Sequence, residues 1–165
     1  MLTIIILGKK SKIKEKVYFI LIKKMNPEEL KNKLILHLRV NKLDNTGIFP
    51  PILLYELLIT KQFVNCRLKQ GFISMNNEGH CWHLWIENGE EEIDINQDIA
   101  RHLNDYFKLI NFDLTTEPPK KYDKDETNVC QWELYNEDKN KFWKEQPMKY
   151  RNFRAKILNK IFKDC

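Results

Sequence analysis

His83 and Asp94 are the residues of this chain whose types and spacing suit acid–base chemistry. They lie in His83-Leu84-Trp85-Ile86-Glu87-Asn88-Gly89-Glu90-Glu91-Glu92-Ile93-Asp94, where Asn-Gly interrupts an alternating apolar pattern, a strong hairpin signal. Taking Asn88-Gly89 as the two-residue loop pairs Glu87 with Glu90, Trp85 with Glu92 and His83 with Asp94. Residues directly opposite one another have Cβ atoms roughly 4.5 to 5.5 Å apart. At that distance a carboxylate accepts an imidazole N–H, fixes the tautomer of the ring and stabilises its cation. Parity puts Trp82, Leu84, Ile86, Ile93 and Ile95 on the opposite, core-facing side and leaves His83, Trp85 and Asp94 together. The same placement also serves a plain polar pair worth about 0.2 to 1 kcal/mol.

A His-Asp pair needs a nucleophile to activate. Cys81 precedes His83 by two residues and shares its face, which makes it the candidate thiol. Cys66 has the parity of the apolar Val64 and Leu68, the pattern of a buried and inert thiol, while Cys130 and Cys165 have no placed partner. A metal set of His80, Cys81 and His83 with His102 or Cys130 is a further reading, opposed by the strand pleat, which sends neighbouring residues to opposite faces. Glu87, Glu90, Glu92 and Asp94 share a face and repel across the strands. A cation would relieve that repulsion, as would a solvated hairpin tip.

The elements that must hold these residues follow from the patterning. Asn26-Pro27-Glu28-Glu29 opens a helix over 27–40 with Leu30, Leu34, Ile35 and Leu38 inward. Pro50-Pro51 opens a second over 51–61 that is apolar on nearly all sides and therefore buried. Period two over 64–73 predicts a half-buried strand, followed by the hairpin strands 81–87 and 90–95. Asn96 is expected to cap a helix carrying Ile99, Leu103, Phe107 and Ile110. Residues 115–128 read as a surface loop around Pro118-Pro119, 129–134 as a strand with Cys130, Trp132 and Leu134 inward, and 147 onward as a helix with Phe153, Ile157, Leu158, Ile161 and Phe162 on one side. The predicted class is α+β: an antiparallel sheet packed on a buried central helix, with peripheral helices, in one domain over 25–165 preceded by an extension or hairpin over 1–24.

In these residues the chain resembles the transglutaminase-like branch of the papain-like cysteine acyl-transfer enzymes. Members place a Cys at the N-terminus of a buried helix, then a strand ending in Gly and an aromatic residue, then His-x-Trp-x-Glu, then an Asp about eleven residues after the His. Gly71-Phe72-Ile73, His83-Leu84-Trp85-Ile86-Glu87 and Asp94 look like the last three of these, over about a third of the chain. The resemblance implies catalytic roles for His83 and Asp94 and a binding cleft bordered by Trp85 and Glu87. The nucleophile position reads Thr46-Gly47-Ile48-Phe49-Pro50-Pro51-Ile52, with neither Cys nor Ser. The expected function is accordingly a non-catalytic relative that holds a peptide or protein segment in the former cleft. The alternatives are a thiol amide hydrolase or acyltransferase using Cys81 with His83 and Asp94, and a nucleic-acid-binding accessory protein.

That last alternative rests on charge. Nine basic residues from Lys139 to Lys163 face a single acid, Glu145, in a 165-residue chain whose formal net charge is only +5. Interleaved Trp143, Tyr150 and Phe153 add rings that can stack on bases, whereas helix packing of Phe153 and Ile157 explains the same pattern without a ligand. No Gly-rich phosphate loop implies a cofactor. No run approaches the ~20 apolar residues of a membrane span, and the first 24 residues lack the order of a secretory signal. Four cysteines without a CxxC pair exclude a disulfide scaffold or zinc ribbon and place the protein in a reducing, cytoplasmic setting.

Overall fold

The computed structural model describes residues 25–45, 47–76, 80–120 and 126–161. The expected extension over 1–24, together with Phe162, Lys163 and Cys165, lies outside them. Helix α1, Pro27–Val40, begins with a full capping box: the Asn26 side chain accepts from the Glu29 N–H, and the Glu29 carboxylate accepts from the Asn26 N–H. Helix α2, Phe49–Thr60, is the buried centre, with Ile52, Leu53, Leu54, Leu57 and Leu58 fully enclosed. A helix apolar on all sides must be surrounded, and α2 touches α1, both long strands and the next helix, α3.

The sheet is antiparallel, in the order β3-β2-β1-β4, with β1 at Cys66–Met75, β2 at His80–Asn88, β3 at Glu91–Ile93 and β4 at Phe112–Thr115. The fold is thus α+β, as patterning predicts. Cys66, Leu84, Ile86 and Ile93 point into the core shared with α2. Val64 falls before β1 and is 86% exposed, so the expected strand begins two residues late.

The hairpin register corrects the expected one. Asn88 stands opposite Glu91, Glu87 opposite Glu92 and Ile86 opposite Ile93, so the loop is Gly89-Glu90 rather than Asn88-Gly89. Gly89 alone of the two takes a positive φ, +68°, at the first loop position, where a II′-type connection also places glycine. Asn88 instead stays in the strand, where its side-chain oxygen accepts from the Cys66 thiol. A shift of two residues preserves faces, and for that reason the predicted sidedness survives the wrong pairing.

Three further expectations are corrected. Asp94, not Asn96, caps α3, Ile95–Leu103; its Oδ1 accepts from the Asn96 and Gln97 N–H groups. The expected long helix breaks at Asn104, which turns extended and caps the short α4, Asp105–Lys108, leaving Leu103 exposed. The expected strand over 129–134 is part of helix α5, Glu126–Glu137; Val129, Trp132 and Tyr135 recur every three residues and are the ones buried, while Cys130 is exposed. Helices α6, Lys139–Glu145, and α7, Met148–Lys156, follow, and α7 continues as one π-helical turn, Ile157–Ile161.

These helices converge on one buried acid of α2. Glu56 accepts from Trp143 Nε1 at 2.8 Å, Tyr135 Oη at 3.3 Å and Arg154 Nε at 2.5 Å, with Lys139 Nζ at 2.9 Å. A carboxylate buried this deeply needs such partners, and they come from all three C-terminal helices. Among the described residues no helix is long and apolar enough to cross a membrane.

Candidate functional site

His83 sits mid-way along β2, opposite Gly71 of β1. Asp94 lies one residue beyond β3, so the two are not the direct cross-strand pair that the hairpin count predicts. They nevertheless meet: His83 Nε2 and Asp94 Oδ2 are 2.6 Å apart, both side chains largely buried. The capping role of Asp94 brings this about. Its Oδ1 is held by the start of α3, and its Oδ2 is thereby turned back toward β2. An ionised carboxylate only accepts, so the neutral imidazole carries its proton on Nε2 and leaves Nδ1 bare. Among the described residues Nδ1 meets no hydrogen-bond partner.

Asn96 ties this pair to α2. Its Nδ2 donates to the Gly47 carbonyl at 2.7 Å, across 49 residues of chain. Only the NH₂ end can bond a carbonyl, so the amide oxygen faces away from it. That oxygen is buried without a partner, although the residue as a whole is only 4% exposed. Sequence reasoning gave Asn96 a cap and missed this contact. Its only signal was a second cap-forming residue two positions after Asp94, redundant for the cap itself.

Two cavities of about 210 Å³ each meet at this point. One is bordered by Gly47, Ile48, Trp82 and Asn128, the other by Ile73, Met75, Phe107 and Phe112, and both are bordered by Cys81, His83 and Asn96. His83 Nδ1 is an acceptor lacking a protein donor among the described residues, so the wall between the cavities suits a ligand N–H there, whereas Asn96 Oδ1 is enclosed by protein and not open to either cavity. Among the described residues the start of α2 offers no nucleophile, because 47–52 holds only Gly, Ile, Phe and Pro. Ile48, which precedes the helix, makes no side-chain cap.

Cys81 is on the His83 face as expected, yet its chemistry runs against nucleophilic use. Burial and then the negative charge of Asp94 push its thiol up to about 11, whereas activation requires the opposite shift. Cys66 is buried and its thiol is likewise raised by burial.

The two expected binding residues do not border the cavities. Trp85 is 2% exposed: its ring crosses β1 over Gly71, where an added Cβ would stand 2.6 Å from the ring and closer still to the Thr115 carbonyl. Glu87 lies four residues along β2 from His83, 3.4 Å from Lys69. Of the other hairpin acids, Glu92 borders a third cavity with Asp94 and Asp98, the last paired with Lys31 at 2.5 Å, and Glu90 is exposed in the turn. Among the described residues no three His, Cys, Asp or Glu side chains converge to hold a metal; His80 and His102 are both exposed.

No protein-family model matches the chain. No curated protein and no solved structure matches it either.

Proposed function

We propose that this is a transglutaminase-like protein that has lost its nucleophile and binds an extended peptide or protein segment in the former active-site cleft. The observation that carries the reading is the junction of His83, Asp94 and Asn96 with Gly47. A hydrogen-bonded His-Asp pair is tied to the start of a buried helix, in the relative order the family uses, with no Cys or Ser at the helix start. One bare acceptor at the cavity wall, His83 Nδ1, suits a main-chain N–H group. β2 supports an extended ligand as well: it pairs with β3 only through Ile86, Glu87 and Asn88, and its exposed 80–82 end has no strand neighbour on that side among the described residues. Strand addition at such an edge is a recurrent mode of peptide recognition.

The test screens a displayed library of unstructured heptapeptides and maps a selected peptide by NMR. The expected result is a shift of the His83 ring and Asn96 side-chain resonances, and loss of binding in Asn96→Leu. Selected peptides that leave both resonances unmoved refute the cleft reading. Turnover of p-nitrophenyl acetate that disappears in both Cys81→Ser and His83→Ala refutes the non-catalytic part of it.

A further inference from the structure

Helix α7 is flanked on both sides by cavities that gather positive charge. On one flank Lys149, Asn152 and Lys156 join Asn41 and Lys42, at the end of α1, around about 400 Å³ floored by Leu43 and Phe153. On the other, Arg151 and Arg154 join Asn140 and Lys144 of α6 around about 320 Å³ floored by Trp143. Each flank holds three cations and no acid. Among the described residues Lys42, Lys144, Arg151 and Lys156 have no ion-pair partner, although like charges three or four residues apart on a helix repel. Arg154 is pinned: Nε donates to Glu56, and the guanidinium lies 4.7 Å over the Trp143 ring. Its terminal NH₂ groups have no protein acceptor among the described residues.

We infer that α7 binds the phosphate backbone of a nucleic-acid duplex, with one row of phosphates on each flank. This inference is independent of the cleft reading. Two separate basic cavities call for a ligand with repeated anionic groups rather than a single phosphate. The span fits as well, since a helix with its side chains is about 10 to 12 Å across and the major groove of duplex DNA about 12 Å wide. Single strands are the weaker match, because they bind on free aromatic rings. Here Trp143 is buried beneath Arg154, Phe153 lies in the core, and Tyr150 is packed against Phe49 at 4.3 Å with Lys149 above it. The rings that suggest stacking in the sequence are thus committed to the fold. Lys42, Lys144, Arg151 and Lys156 are not.

The experiment measures fluorescence anisotropy of the full chain with a labelled DNA duplex of about two helical turns, between 50 and 200 mM salt. Six phosphate contacts predict an affinity loss of about 10³-fold across that range. Lys149→Gln with Lys156→Gln, and separately Lys144→Gln with Arg151→Gln, should each flatten the log–log salt slope by about 2, since each lost contact removes about 0.9. Lys149→Arg and Lys120→Gln, the latter at an exposed residue bordering neither cavity, should leave it unchanged. All these side chains are exposed, and far-UV circular dichroism checks that the fold is retained. The inference is overturned by absence of duplex binding at 50 mM salt, by an unchanged slope in either double variant, by equal loss in Lys120→Gln, or by tighter binding to single strands or to phosphatidylserine vesicles.

Discussion

Asp94→Asn separates the two tasks that Asp94 performs. In the native protein Oδ1 takes the Asn96 and Gln97 N–H groups and Oδ2 takes His83 Nε2–H. Asparagine caps a helix about as well as aspartate, so its amide oxygen stays with the two backbone donors and its NH₂ turns toward the imidazole. Nε2 must then accept, and in the neutral ring the proton moves to Nδ1. A charge-assisted bond worth about 1.5 to 3 kcal/mol becomes a neutral one worth about 0.5 to 1.5, for a net cost of about 1 to 1.5 kcal/mol. Asp94→Ala is harsher. It removes the cap, about 1 kcal/mol, and leaves a buried N–H unsatisfied, about 1 to 3 more, so the total is about 2 to 4 kcal/mol. Urea denaturation reads the stabilities, and long-range ¹H–¹⁵N NMR correlation reads the tautomer. The His83 ring should be protonated at Nε2 in the native protein and at Nδ1 in the Asp94→Asn variant, which would put a donor at the atom that the proposed reading gives to a peptide N–H. An unchanged tautomer, or an Asp94→Asn cost equal to that of Asp94→Ala, refutes the account of the site.

Two other perturbations test its surroundings. Glu56→Ala should destabilise the protein by about 3 to 5 kcal/mol in urea denaturation, because Trp143 Nε1 and Tyr135 Oη lose a buried acceptor and two cations lose their counter-charge; Glu56→Gln, which keeps an acceptor oxygen, should cost less. Cys81 should alkylate slowly with iodoacetamide near neutral pH and faster as pH rises toward about 11, and Asp94→Asn should quicken it by removing a repelling charge. The sign for stability follows. A thiol held protonated in the folded state beyond its ordinary 9.0 releases its proton on unfolding first, so this contribution is present below about pH 9 and fades as pH climbs toward 11.

The sequence was legible where a pattern was long or the chemistry of a cap was decisive. Pro27 at the helix start, the all-apolar run of α2 and the alternation of β1 and β2 each admit one reading, and each element formed. It was illegible where a short window fitted two periods. Val129, Cys130, Trp132 and Leu134 suit a strand until Tyr135 is included, and the three-residue spacing from Val129 through Trp132 to Tyr135 then favours a helix, whose buried face these residues form. β4 is four residues long and owes its place to β1, beside which it pairs from Phe72 to Met75; no local signal marks it. The candidate site was half legible. The meeting of His83 and Asp94 followed from parity, although the pairing used to deduce it was two residues out. Asn96 and the burial of Trp85 depended on contacts with Gly47 and Gly71, far away in the chain.

The choice of cap at α3 is what assembles this site. Asp94 and Asn96 are both good cap residues, and only one can start the helix. Had Asn96 been the cap, its side chain would be spent on its own backbone and would not reach the Gly47 carbonyl. Asp94, being two residues earlier, leaves Asn96 inside the first turn with its side chain available for the start of α2. The same choice ends β3 at Ile93 and carries Asp94 out of the ladder, so its second oxygen meets His83 on a diagonal instead of across a rung. Shortening β3 also leaves 80–85 of β2 without a strand neighbour beside the cleft. One local preference therefore orients the histidine, links its strand to the central helix and leaves the exposed 80–82 end of β2 as the edge where an extended ligand would pair. On the reading proposed above, those three consequences have a use without a nucleophile, because recognition of a main chain needs an oriented acceptor and a strand edge but no thiolate.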